Sequence, residues 1–480
     1  MIAKWAPWLL PSCTAWVLFC TLRAAVWERI QTLGVVESYG FAVYEQIIRN
    51  RALEGAFFQT IHRGYIDHWM WSGHRSVALF PVAEVYALWP GPLTLATVQV
   101  ACVALGAFPA FGLARAVLGG TFGGLVGLVL YAGFPPVWLM ALQDYQDVVL
   151  GMPFALAAVW AARDGRVGAF AVAGALAACA REEWAVTVPL VGLAFAGGWR
   201  GKLVGVGVGA GVAAAFGALV WWLGRDASGY ETPAQTHGLA MLLHPPPIQR
   251  TWVDFDNFYS YFLRPAHGVG ALSPLVALPG LAALGVHLTT PNGSGIDAAW
   301  RGHIHHMAPV VVFFTAAAID GFGRLGAVMF PPKGRTRVQA ALLGRGAVPR
   351  WAVLVLLAVL TAAHAVHGRS WLPTFGLHPT ADPRLVDSPR VRAEWALVAA
   401  LPADAVGGID QAGALFVSGF RRSFTTNESL PEKSRRGLRE LDYVFVARAD
   451  TRTFAEAQAL GGEVVGETDA YRLVKLTRSP

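Results

Sequence analysis

The sequence predicts an all-α polytopic membrane bundle followed by a small C-terminal α/β domain outside the membrane. Three observations carry that class. Hydrophobic residues make up 55% of the 480 and charged residues only 14%, against about 25% charged in an ordinary soluble domain. Mean hydropathy is positive, at +0.45. Apolar windows approaching the roughly 20 residues that cross a hydrocarbon core recur up to residue 367, and the composition then turns polar.

Taken in order, the first apolar window, 6–26, follows the single basic residue Lys4. It ends in Leu22-Arg23-Ala24-Ala25-Val26-Trp27, without a small-x-small cleavage pattern, so it reads as a retained anchor. A long polar and aromatic segment, 28–75, comes next; interfacial helices and a headgroup belt suit its Tyr and Trp content. Further spans are predicted at 92–114, 119–141, 149–162, 167–180, 184–198, 202–223, 303–322 and 351–367. Segments 76–89 and 269–288 are short or interrupted by Pro81, Pro274 and Pro279, and are expected to be re-entrant, paired or kinked. Gly205, Gly207, Gly209 and Gly211 let a helix approach its neighbours closely. Cys13, Cys20, Cys102 and Cys179 all lie in apolar runs and are expected to pack rather than to form disulfides or bind zinc.

Basic residues set the orientation. Lys4, Arg163, Arg166, Arg200, Lys202 and the cluster Arg324, Lys333, Arg335, Arg337, Arg345 and Arg350 mark a cytoplasmic face. The N-terminus is then cytoplasmic, and segment 28–75 and the polar region 368–480 face outward from the inner (plasma) membrane. The net charge of +7 follows from this asymmetry and from anionic lipid, and calls for no nucleic acid. No Gly-x-Gly-x-x-Gly in a strand-to-helix setting and no Walker loop is present, which argues against nucleotide-driven chemistry. The region 368–480 alternates extended candidates, Ala405–Ile409, Tyr443–Val446, Glu463–Val465 and Tyr471–Leu476, with helical stretches near 391–401 and 452–460. The basic segment Phe420 to Arg439 reads as a loop.

Candidate functional residues are those placed where a bilayer tolerates them badly. Arg181, Glu182 and Glu183 separate two apolar runs, and ionisable groups at membrane depth mark a site unless they simply cap helices at a wet turn. Outward segments add Glu37, Glu45 and His74, then Asp144 and Asp147, and then His303, His305 and His306 beside Arg301. The His-x-His-His spacing has no local carboxylate partner and is not assigned as a metal site. A carboxylate can take a proton from an acceptor hydroxyl while Arg or His neutralises a phosphate leaving group, which suits sugar transfer from a lipid phosphate.

Several stretches together resemble a family of prokaryotic membrane proteins of unknown function. They are Phe80-Pro81-Val82-Ala83-Glu84-Val85-Tyr86 through Leu95, Gln99, Leu105-Gly106, Leu113-Ala114-Arg115, Arg181-Glu182-Glu183, His305-His306-Met307-Ala308-Pro309 through Asp320-Gly321, and Leu401-Pro402-Ala403-Asp404-Ala405-Val406. That family is similar in layout to GT-C glycosyltransferases, which have an acidic first outer loop and use polyprenyl-phosphate sugars. The resemblance implies a GT-C-like bundle of about 10 to 13 membrane helices over 1–367 and an extracytoplasmic domain over 368–480. Departures fall on the acids: Gly40 and Gly73 stand where the family pattern has Asp, and Tyr145-Gln146-Asp147 replaces Phe-His-Pro after the retained Asp144. Arg181-Glu182-Glu183 stands for Lys-Glu-Asp.

The implied roles are Glu45 or Glu37 as base, Asp144 orienting the acceptor or a divalent metal, and Arg181 holding the donor phosphate. Glu182 would fix Arg181, and His305 and His74 would bind substrate. The partners are a lipid-linked sugar donor and membrane lipid. Two other functions fit the same residues: a transporter or flippase for a lipid-linked or amphipathic solute, and a non-catalytic envelope protein.

Overall fold

The computed structural model describes residues 6–31, 38–58, 74–142, 144–224, 267–289, 307–331, 336 and 348–374. Towards the C-terminus it describes 393, 396–397, 401–402, 405–409, 422–425, 438, 441–469 and 471–477. A 3-10 turn, Ala6–Trp8, leads into α1 (Leu9–Gln31). Helix α2 (Ser38–Glu54) and the short α3 (Leu79–Leu88) follow.

Helices α4 (Pro92–Leu105) and α5 (Ala107–Leu118) form one crossing of 27 residues through Gly106, a position where any Cβ would run into the Tyr131 ring. Helix α6 (Gly120–Ala132) and α7 (Pro135–Leu142) are bent by 54° where Pro135 removes a helical donor. Helices α8 (Asp147–Leu150), α9 (Met152–Arg163), α10 (Val167–Ala180), α11 (Glu182–Val191) and α12 (Gly198–Gly224) follow. A 3-10 turn over His267–Leu272 precedes α13 (Pro274–Thr289), and α14 (Ala308–Met329) and α15 (Arg350–Thr374) close the bundle.

Among the described residues four helical segments are long and apolar enough to cross a membrane, Ala6–Trp27, Pro92–Leu118, Gly198–Gly224 and Ala308–Met329, with the bent α6–α7 pair a fifth. The spans expected at 149–162, 167–180 and 184–198 are shorter helices. Helix α14 is buried almost all round and forms the centre, whereas α12 buries only Gly205, Gly209, Phe216 and Val220. Its exposed Leu203, Val204, Trp221 and Trp222 suit contact with lipid.

Helices α10 and α11 fold back on each other about Arg181: a Cβ built on Gly174 would lie 2.9 Å from Val188 Cγ1, and these two positions are equidistant from Arg181 in sequence. The Ala196 amide donates to the Ala162 carbonyl at 2.9 Å, so α10 and α12 start from the same end of the bundle. At 1.5 Å per residue, α10 rises roughly 21 Å and α12 roughly 40 Å. The α10–α11 tip packs near the far end of α12, where Ala178 and Ala185 join Phe216 and Val220 in one buried cluster. Contact between α11 and α12 uses one glycine stripe: Cβ atoms on Gly205 and Gly209 would press on Phe195 Cβ at 2.9 Å and Pro189 Cα at 2.7 Å. Gly207 and Gly211, expected to serve the same packing, meet nothing within 4 Å, because they lie on another face.

After the bundle, five strands, β1 (Val406–Ile409), β2 (Arg422–Thr425), β3 (Tyr443–Ala447), β4 (Glu463–Glu467) and β5 (Tyr471–Lys475), form one sheet in the order β2-β1-β3-β5-β4. Strand β1 is parallel to β2 and β3, while β5 is antiparallel to β3 and β4. Strand β2 falls in the basic segment read from the sequence as a loop. Along β3 the side chains alternate: Val444 and Val446 pack with Ala457 of α16 (Thr451–Ala459), and Phe445 points the other way. On that other face Phe445, Tyr471 and Leu473 pack on Ala42, Val43 and Ile47 of α2. The opposite stripe of α2, Phe41, Tyr44 and Ile48, joins the main bundle core. Helix α2 is thus held between sheet and bundle.

Candidate functional site

Arg181 links α10 to α11 in an extended backbone conformation and is fully buried. A guanidinium so placed must be met by charge. Asp147 Oδ1, at the first residue of α8, lies 3.5 Å from Nη1, and Glu183 Oε1 lies 3.2 Å from Nη2. His74 Nε2 also meets Nη2. Because arginine only donates, His74 Nε2 is an acceptor, so its proton sits on Nδ1 and is donated to Glu182 Oε1 at 2.9 Å. Glu182 Oε2 accepts from the Arg75 amide at 2.8 Å. Glu182 thus reaches Arg181 through His74, while Glu183, about 100° round the helix, meets the guanidinium directly.

Three elements hold this group in place. The Ala78 amide donates to the Cys179 carbonyl at 2.8 Å, tying the His74 segment to the end of α10. Trp184 Nε1 donates to the Val148 carbonyl at 2.8 Å, tying α11 to α8. Gln99 of α4, itself buried, clamps the stretch before α8. Its Nε2 donates to the carbonyls of Met140 at 3.0 Å and Asp144 at 3.2 Å, and its Oε1 accepts from the Gln146 amide at 2.7 Å. From α2, Tyr44 donates its hydroxyl to Asp147 Oδ1 at 3.0 Å and meets the Tyr145 ring edge-on at 5.5 Å between centroids.

Glu45, next to Tyr44 on α2, faces elsewhere: it is buried and accepts the Tyr86 hydroxyl at 3.1 Å. Asp144 is buried, and its carbonyl is part of the Gln99 clamp. Glu37 and His305 lie outside the described residues. The structure adds Tyr44, Asp147 and Glu183 to the residues expected around Arg181. Asp147 and Glu183 were visible as acids beside the expected ones; nothing local in the sequence singles out Tyr44, which is 103 positions from its partner.

The cluster combines three carboxylates, one guanidinium and a neutral imidazole. Arg181 and Asp147 form its buried floor, while the His74, Glu182 and Glu183 side chains are 33%, 30% and 27% exposed and form its rim. Asp147 Oδ2, Glu183 Oε2 and Arg181 Nε have no hydrogen-bond partner among the described residues. The floor thus keeps acceptor and donor capacity in reserve, which suits a proton acceptor next to a positive charge. No group of three or more His, Cys, Asp and Glu among the described residues is arranged to hold a metal ion.

The overall architecture is similar to that of ArnT from Cupriavidus metallidurans. The structure of ArnT bound to undecaprenyl phosphate matches with a TM-score of 0.55 at 14% identity, covering 97% of this chain and 99% of that one. Its apo structure matches with a TM-score of 0.53 at 14% identity, covering 96% and 98%. The fold is accordingly GT-C-like along the whole chain. No curated protein matches this sequence. A family model described as "Predicted membrane protein (DUF2079)" matches residues 33–345, well over half the chain, and the protein belongs to that family.

Proposed function

We propose that the protein is an integral membrane glycosyltransferase that moves a sugar from a polyprenyl-phosphate donor to an acceptor hydroxyl at the α10–α11 tip. The observation that carries this reading is the convergence of Tyr44, His74, Asp147, Arg181, Glu182 and Glu183, from four separate stretches of chain, at the α10–α11 tip. The undecaprenyl phosphate carried by the ArnT structure supports the donor class.

In the reaction Asp147 takes the acceptor proton through Oδ2, and the acceptor oxygen bonds to the anomeric carbon. The sugar–phosphate C–O bond breaks with its electron pair going to the phosphate oxygen. Arg181 supplies positive charge and His74 a hydrogen bond to the departing phosphate. Tyr44 orients Asp147; burial raises the proton affinity of that carboxylate, which suits a base, and Arg181 opposes the rise. Glu45, engaged by Tyr86, and Asp144, in the Gln99-clamped stretch, support the site from behind. In this reading 1–367 forms the membrane domain and 368–480 an extracytoplasmic one in the inner membrane, with the N-terminus in the cytoplasm.

The test is release of free polyprenyl phosphate from a polyprenyl-phosphate-linked sugar by the purified protein in vesicles. Asp147→Asn is expected to slow release by about 100-fold or more, while Glu45→Gln leaves it near the parent rate. Equal rates for the parent and Asp147→Asn would reject Asp147 as the base. A parent that releases nothing from any such donor, yet folds, would favour the transporter or the partner-binding reading.

A further inference from the structure

Helix α2 ends on an arginine that is held more firmly than a helix end needs. Gly55, at φ 77°, donates its amide to the Arg51 carbonyl at 3.0 Å, and its own carbonyl accepts from Arg51 Nη1. Capping asks no more of an arginine than that bond. Here the guanidinium carbon also lies 5.6 Å from the Phe57 ring centroid and 5.3 Å from that of Phe80. The two rings meet edge-on, 4.9 Å between centroids and 84° apart, and form a corner against which the guanidinium rests. Pinning so long a side chain costs entropy, and aromatic rings attract a cation without neutralising it. Among the described residues no carboxylate pairs with Arg51, Glu54 one turn on included, and Arg51 Nε has no hydrogen-bond partner. A fixed guanidinium with donors to spare matches the paired oxygens of a phosphate or a carboxylate.

The placement indicates whose anion this is. Arg51 lies seven residues, close to two turns, beyond Tyr44, so the two share one stripe of α2 about 10 Å apart. Tyr44 bonds Asp147. Phe80 lies in the first turn of α3, two residues after Ala78, whose amide bonds the Cys179 carbonyl just before Arg181. Arg51 therefore borders the Arg181 site by way of both α2 and α3, at roughly the length of a disaccharide from Asp147.

We infer that Arg51, in the corner made by Phe57 and Phe80, binds a phosphate or carboxylate carried by the acceptor whose hydroxyl is presented to Asp147. The acceptor is then an anionic molecule, with its charge about a disaccharide's length from the reacting hydroxyl. Its role as acceptor rests on the transferase reading; the binding of an anion at Arg51 does not, and the two are measured apart. The test uses the full-length protein in phosphatidylcholine nanodiscs and a pair of probes that differ only by one anionic group, maltose and maltose 1-phosphate, with binding read by calorimetry.

The parent is expected to bind maltose 1-phosphate about tenfold more tightly than maltose. Arg51→Gln should bind the two alike. Arg49→Gln removes the same charge from another face of the same helix and should behave like the parent. Equal binding of the two probes by the parent would overturn the proposal, as would a preference that survives in Arg51→Gln. Equal losses in Arg49→Gln and Arg51→Gln would overturn the site in favour of diffuse attraction. Loss of the preference when phosphatidylglycerol is added to the discs would overturn the acceptor as occupant in favour of a lipid headgroup. If Arg51→Gln does not fold, phenylglyoxal labelling of the parent decides: maltose 1-phosphate, and not maltose, must protect Arg51. In the release assay the phosphorylated acceptor should show the lower KM at unchanged kcat, a difference lost in Arg51→Gln. No release with either acceptor would reject the transferase reading and leave the binding result to decide this one.

Discussion

Arg181 shows how much one residue can organise when it cannot reach water. Its charge is balanced by Asp147 and Glu183, one from a neighbouring element and one from the next helical turn. Removing one partner of a buried ion pair leaves the other uncompensated, at a cost of about 3–5 kcal/mol. Arg181→Met should therefore lower stability by about that amount, read as a loss in chemical or thermal unfolding. The Arg181-Glu182-Glu183 triplet was legible in the sequence because charge inside apolar runs is conspicuous. Its pairing was not, because Tyr44, His74 and Asp147 reach it from distant parts of the chain. Gln99 illustrates the same limit. A lone glutamine in an apolar run carries no sign that it closes three backbone hydrogen bonds around Asp144 and Gln146. Gln99→Leu strands those groups and should loosen the α7–α8 connection, visible as faster amide exchange over 144–147.

At the scale of elements, apolar windows located the helices well, because hydrophobic run length is a direct physical requirement of a bilayer. They did not distinguish full crossings from short helices, since α9, α10 and α11 are as apolar as their longer neighbours; the turns of the chain at Gly165, at the extended Arg181 and at the 3-10 turn Gly192–Ala194 end them early. Glycine placement gives a sharp check on the hairpin. Gly209→Ala presses a methyl on the Pro189 backbone and should destabilise by about 1–3 kcal/mol. Gly207→Ala meets open space and should leave the melting temperature unchanged or slightly raised, since alanine favours helix. Equal effects of the two would place the α11–α12 contact on a different stripe.

Across the whole molecule, the C-terminal sheet braces the site through α2. The change from apolar to polar composition after residue 367 announced this region, and four of its five described strands fall on the extended runs expected there, β2 being the exception. Its docking on Ala42, Val43 and Ile47 was not legible, since those small and branched residues read equally as lipid-facing. Phe445→Ala opens that contact and should cost about 3–5 kcal/mol, with increased amide exchange in α2. Exchange rising only within the sheet would mean that α2 is held by the bundle alone. The measurement closest to the central claim is a cryo-electron microscopy map of the protein in nanodiscs containing undecaprenyl phosphate. The account predicts phosphate density at the rim formed by His74, Glu182 and Glu183, above Arg181 and Asp147. Lipid phosphate bound elsewhere, with the α10–α11 tip closed and its ion pairs unchanged, would contradict it.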